Sequence, residues 1–182
     1  MLSRILNRLF WTTALGVLAM GLAACGNTAG NAFNDSQYIP ASVKTVNHTM
    51  ASLNWVSVNG MSGSAGEICC VMLPNQWRPG LKANVEWEID PNPYEKMKRK
   101  PGGGFVFDDA AIARHKAAYT QHKAIVDIPQ YPDGQTCGLK IYFLVCNQLK
   151  ATTSCLHYTD PNYPIKDAGK IPEPETCPKT AE

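Results

Sequence analysis

Residues 81–89 place a strong limit on the fold. Leu81, Ala83, Val85, Trp87 and Ile89 alternate with Lys82, Asn84, Glu86 and Glu88. An apolar/polar period of two describes a strand with one face on a core and one in water. A helix would scatter the same apolar residues around its circumference. Residues 139–146 differ, because Leu139, Ile141, Phe143 and Val145 are apolar and so are Tyr142, Leu144 and Cys146 opposite them. That pattern predicts a central strand covered on both sides. Further strands are expected at 42–48, 53–58, 67–73 and 149–155, with Asn59-Gly60, Pro74-Asn75, Arg78-Pro79-Gly80, Pro91-Asn92-Pro93 and Pro132-Asp133-Gly134 as the turns between elements. One helix is expected over about residues 108–124. Asp108 or Asp109 caps it, and Ala111, His115, Ala118, His122 and Ile125 form one narrow face. The expected fold is mostly β: a single sandwich-like domain with one inserted helix and an extended Pro-rich C-terminal tail.

The start of the chain reads as an address. Arg4 and Arg8 precede an apolar or small stretch that is too short for a comfortable membrane span and ends in Leu22-Ala23-Ala24-Cys25-Gly26. This run resembles the lipobox of bacterial lipoproteins, in which the cysteine is acylated and becomes the mature N-terminus. The resemblance implies lipid attachment, palmitate included, at Cys25. Several acyl chains there would give stable anchoring. Gly26 stands where an Asp commonly marks inner-membrane retention, so the expected location is the periplasmic face of the outer membrane. Four regions follow: a signal peptide at 1–24, a lipidated tether at 25–41, the β-rich domain at 42–166 and a tail at 167–182. Removing 1–24 takes away Arg4 and Arg8, which leaves Lys plus Arg equal in number to Asp plus Glu. A chain so balanced is a poor general binder of nucleic acid.

Six cysteines remain: Cys69, Cys70, Cys137, Cys146, Cys155 and Cys177. An even number in an exported domain implies disulfides. If Cys69 and Cys70 lie in a strand, they face opposite ways and need different partners. A continuous strand from 138 to 145 would hold Cys137 and Cys146 roughly 30 Å apart at about 3.3 Å per residue, too far to bridge. The spacings do not suit zinc, so no metal and no cofactor is expected.

Catalytic motifs are scarce. His115 and His122 lie seven apart on the expected helix, without the intervening Glu of a zinc-protease pair. Ser62 and Ser64 in residues 60–66 fail the register of a nucleophile elbow, and a flexible hairpin loop is the expectation there. Lys96-Met97-Lys98-Arg99-Lys100, followed by Pro101-Gly102-Gly103-Gly104, is the densest charge cluster. Lys96, Lys98, Arg99 and Lys100 are therefore the candidate partner interface, with the 59–66 loop as a second place to look.

Asn47-His48-Thr49, Val56-Ser57-Val58-Asn59-Gly60, Cys69-Cys70-Val71-Met72-Leu73-Pro74, Trp77-Arg78-Pro79-Gly80-Leu81 and Val85-Glu86-Trp87 follow in a fixed order. With Val126-Asp127-Ile128-Pro129-Gln130-Tyr131 and Asn162-Tyr163-Pro164, they resemble a family of Gram-negative lipoproteins over roughly residues 42–166. Members are often encoded beside type VI secretion effectors of the phospholipase class. The resemblance implies an immunity protein, not an enzyme, that occludes a secreted lipase-type toxin. The alternative is an envelope-maintenance lipoprotein that binds another envelope component.

Overall fold

The alternation at 81–89 becomes the strand β5, Lys82–Asp90, with Ala83, Val85 and Trp87 buried and Lys82, Asn84 and Glu86 exposed. The computed structural model describes residues 37–166 and 169–178. The expected signal peptide, Cys25 and most of the expected tether lie outside them. The other strands are β1 (Tyr38–Asn47), β2 (Ser52–Val58), β3 (Met61–Ser64), β4 (Glu67–Pro74), β6 (Thr120–Asp127), β7 (Leu139–Phe143) and β8 (Leu149–Thr152). One helix, α1, spans Asp109–Lys116. Two four-stranded sheets result, in the orders β4-β1-β7-β8 and β3-β2-β5-β6. All pairings are antiparallel except β1 with β7.

The core lies between the sheets. Val43, Ile68, Val71, Leu139, Ile141 and Phe143 from the first meet Val56, Val58, Ala83, Val85 and Trp87 from the second. The Trp87 ring stands edge-on to Phe143, with centroids 5.4 Å apart. Fully burying an apolar side chain of this size class stabilises the fold by about 1.5–3 kcal/mol. Among the described residues, the mostly-β sandwich with a single α-helix is thus the observed architecture. β7 is central, lying between β1 and β8. It stops at Phe143 rather than 146, because Cys146 and Asn147 take positive φ and turn the chain.

Several details depart from the sequence expectation. The helix ends at Lys116, and residues expected in its second half form β6 instead. There His122 pairs in register with Trp87 and stacks on it. His115 and His122 therefore share no helix face. Edge pairing with β5 outweighs the helix propensity of an Ala/Lys-rich run. Residues 61–64 are not a loop: β3 pairs with β2 across a turn in which Asn59 and Gly60 both take positive φ. That geometry is the primed turn which matches the strand twist.

Cys69 and Cys70 do lie in a strand, yet they bond to one another. The reason is a β-bulge. Ala41 pairs with Val71 and Val43 with Ile68, so both cysteines oppose Ser42 alone. The extra residue breaks the alternation and leaves Ile68 and Val71 both facing the core. Cys137 bonds to Cys155 and Cys146 to Cys177. Gly138 enters β7 where a side chain would stand 2.7 Å from the Ser42 carbonyl oxygen, at a φ of 81°. Only glycine fits there.

Candidate interaction site

Residues 91–108 leave the sandwich between β5 and α1 as a finger. The finger has a polar root. Asp90, buried at the end of β5, accepts a hydrogen bond on Oδ1 from the Asn92 amide at 2.9 Å. Its Oδ2 faces Nε2 of the buried His115 at 3.1 Å. The other ring nitrogen, Nδ1, meets Glu95 Oε2 at 2.8 Å, and Arg114 donates to Glu95 Oε1 at 3.2 Å. Tyr119 stands edge-on to the imidazole. Both neighbours of the ring are carboxyl groups, so with both ionised it is the doubly protonated imidazolium that donates to both at once. The Glu95 hydrogen bond, followed by those of Asp90, holds the His115 pKa above its usual value against the opposing effect of burial. Glu95 is correspondingly held below the usual carboxylate range, first by His115 and then by Arg114. This clamp ties the start of the finger to α1, whose N-cap, Asp108, accepts from the Ala111 amide at 3.1 Å.

The finger folds back on itself. The Asp108 amide donates to Lys98 O, Lys100 to Val106 O, and Val106 to Gly103 O, each near 3 Å. Gly102 and Gly104 take positive φ at the tip. This turn leaves Phe105 86% exposed, and Tyr94, nearer the root, is 79% exposed. The Arg99 guanidinium lies 5.0 Å from the centroid of the Phe105 ring. Tyr94 also borders a cleft of about 550 Å³ with Met50, Pro91 and Pro93.

Of the candidate interface residues, Lys96, Lys98 and Arg99 are exposed, and none has an ion pair among the described residues. Lys100 is different: it pairs with Asp109 at 2.9 Å, which raises its pKa. Three of the four cations are therefore exposed on the same finger that exposes Phe105, Val106 and Tyr94, with Arg99 against Phe105. Arg and large aromatics are the residue types that dominate binding hot spots. Nothing in the spacing of the sequence revealed the clamp, since Asp90 and Glu95 lie far from His115 along the chain. The other catalytic candidates are dispersed. Ser62 sits on the edge strand β3, and His122 lies against Trp87, where burial lowers its pKa.

Residues 46–151 match DUF3304, a family described as proteins of unknown function. The chain belongs to that family. The match runs from the end of β1 into β8 and takes in the whole finger. No curated protein and no solved structure matches the chain.

Proposed function

We propose that this DUF3304 protein is a membrane-tethered binding protein of the periplasm that presents its finger to a protein partner. The partner class that fits best is a lipase-type toxin delivered by type VI secretion, which the protein neutralises by occlusion. One observation carries the binding reading: a folded, polar-anchored projection exposes Phe105, Val106 and Tyr94 beside Lys96, Lys98 and Arg99. Solvent-facing aromatics cost solubility and contribute little to this fold, whereas buried in a partner they supply anchoring area. The neighbouring cations suit an acidic rim and speed encounter. The lipobox-like Leu22-Ala23-Ala24-Cys25 supports the tether. The resemblance to lipoproteins encoded beside phospholipase effectors supports the partner class. A tether concentrates an inhibitor where a lipase acts.

The test is affinity capture from periplasm of cells under attack by a competitor. The disulfide-bonded protein is compared with a Phe105→Ser/Arg99→Glu variant. Both residues are exposed, so the variant should fold with a loss of no more than about 1 kcal/mol. The intact protein is expected to recover one secreted lipase and inhibit it, and the variant to do neither. Recovery of resident envelope proteins alone, equally by both, would move the reading to envelope maintenance.

A further inference from the structure

The outer face of the first sheet carries a second concavity, on the other sheet from the β5 end that roots the finger clamp and independent of the function proposed for the finger. β1 and β7 run parallel, with Lys44 beside Lys140 and Val46 beside Tyr142. Their neighbours Val43, Leu139 and Ile141 fill the core, so alternation turns these four outward. Residues 156–165 bend over them as a strap. Leu156, Tyr158, Tyr163 and Ile165 of the strap complete a pocket of about 390 Å³. That volume lies within the range typical of small-molecule sites.

The pocket is built rather than incidental. Its floor is the hydrogen-bonded pair Tyr142 and Tyr163, with hydroxyl oxygens 2.7 Å apart and both side chains buried. Lys140 is fixed in place: its Nζ donates to Ser154 O at 2.9 Å and lies 5.3 Å from the centre of the Tyr163 ring. The strap is held at its start by Cys137–Cys155, and the chain beyond it by Cys146–Cys177. A site held this way pays little ordering entropy on binding.

Its chemistry is one-sided. Lys44 and Lys140 are direct cross-strand neighbours, and among the described residues no acidic side chain lines the pocket. Glu67 on β4 flanks Lys44 from the other side, yet no ion pair joins them among the described residues. Like charges placed side by side repel, and an anion between them reverses the sign of that interaction. The remaining walls are Val46, Leu156, Ile165, tyrosine rings and one histidine, His157. We propose that this pocket binds one single-chain anionic amphiphile, a fatty carboxylate, with its head between Lys44 and Lys140 and its chain along Val46, Leu156, Tyr158 and Ile165. The concave shape under a strap suits one chain, whereas a bilayer surface would require a protruding apolar patch.

Calorimetric titration of the disulfide-bonded protein with sodium decanoate, below micelle formation, tests this. One saturable site is expected, with acetate failing to bind because it lacks the chain and decan-1-ol binding more weakly because it lacks the charge. Lys44→Glu, at an exposed position, should weaken decanoate binding by about tenfold or more. Leu156→Asp at the rim should do the same without touching either lysine. Absence of saturable decanoate binding would overturn the proposal, as would unchanged affinity in both variants. Preferential binding to phosphatidylglycerol vesicles over free decanoate would overturn it too, because the face would then be a membrane-contact surface.

Discussion

The finger and the strap are both irregular segments attached to the same sandwich, and they are fastened by different means. The finger, residues 91–108, is held by charge and hydrogen bonds: Asp90, His115, Glu95 and Arg114 at its root and Lys100 with Asp109 beyond. The strap, residues 156–165, lies between disulfide-bonded Cys155 and Cys177, and its Tyr163 is buried to 3% exposure. Tail residues beyond it also join the sandwich, the Ile171 amide donating to His48 O at 2.7 Å. Charge contacts respond to pH and to a partner's own charges, while covalent links do not. The difference assigns adaptability to the finger and permanence to the strap. It also matches their surfaces, one projecting with an exposed Phe105 and the other closing a preformed pocket.

The largest expected effect falls on the strap. Cys146→Ser with Cys177→Ser removes a link spanning 31 residues. Loop-closure entropy puts the loss at about 3–4 kcal/mol, measurable as a lower urea midpoint. Finger contacts should be intact in the native state of that variant, as read by hydrogen exchange at the Lys100 and Val106 amides. Loss of protection there would mean that the two segments are coupled. Next comes Tyr163→Phe, which strips the Tyr142 hydroxyl of a buried partner. A cost of about 1–3 kcal/mol is expected, again in urea unfolding, and decanoate binding should weaken with it. Asp108→Ala removes the α1 N-cap and should cost about 1 kcal/mol. Its signature should be faster exchange in α1 and the finger, with the strap unchanged.

What the sequence revealed follows the same division. The sandwich was legible where a strand carries its own apolar face: β5 through Ala83, Val85 and Trp87, and β7 through Leu139, Ile141 and Phe143. β6 was hidden because Ala124 and Ile125 continue an Ala- and Lys-rich stretch at helical spacing, and only pairing with β5 decides against the helix. β3 was hidden because Met61-Ser62-Gly63-Ser64 has weak strand character and gains it by pairing with β2. The Cys69–Cys70 link runs against strict strand alternation, because a bulge opposite Ser42 suspends it. The cations at 96, 98 and 99 were visible as a cluster. Their aromatic companions and the clamp beneath them were not, since Asp90, Glu95 and His115 meet only through tertiary packing. Pro91-Asn92-Pro93 did carry a local turn signal, and the chain turns there with the Asn92 amide donating to Asp90.

We expect the finger to adjust independently of the scaffold, and the clamp gives it a pH dependence of known sign. The pKa of His115 is higher in the folded protein than in the unfolded chain. Its contribution is therefore fully present below its ordinary value of about 6.5 and is lost as pH rises through the raised folded value. Neutral His115 can donate to only one of its two carboxylates, leaving Asp90 or Glu95 facing a bare nitrogen. The decisive measurement is hydrogen exchange, corrected for intrinsic rates, over residues 92–108 and 156–166 at about pH 6 and about pH 9. Finger protection is expected to fall at the higher pH while strap protection holds, and His115→Gln should make the finger insensitive to the change. Finger and strap losing protection together, or a finger equally protected at both pH values, would contradict this.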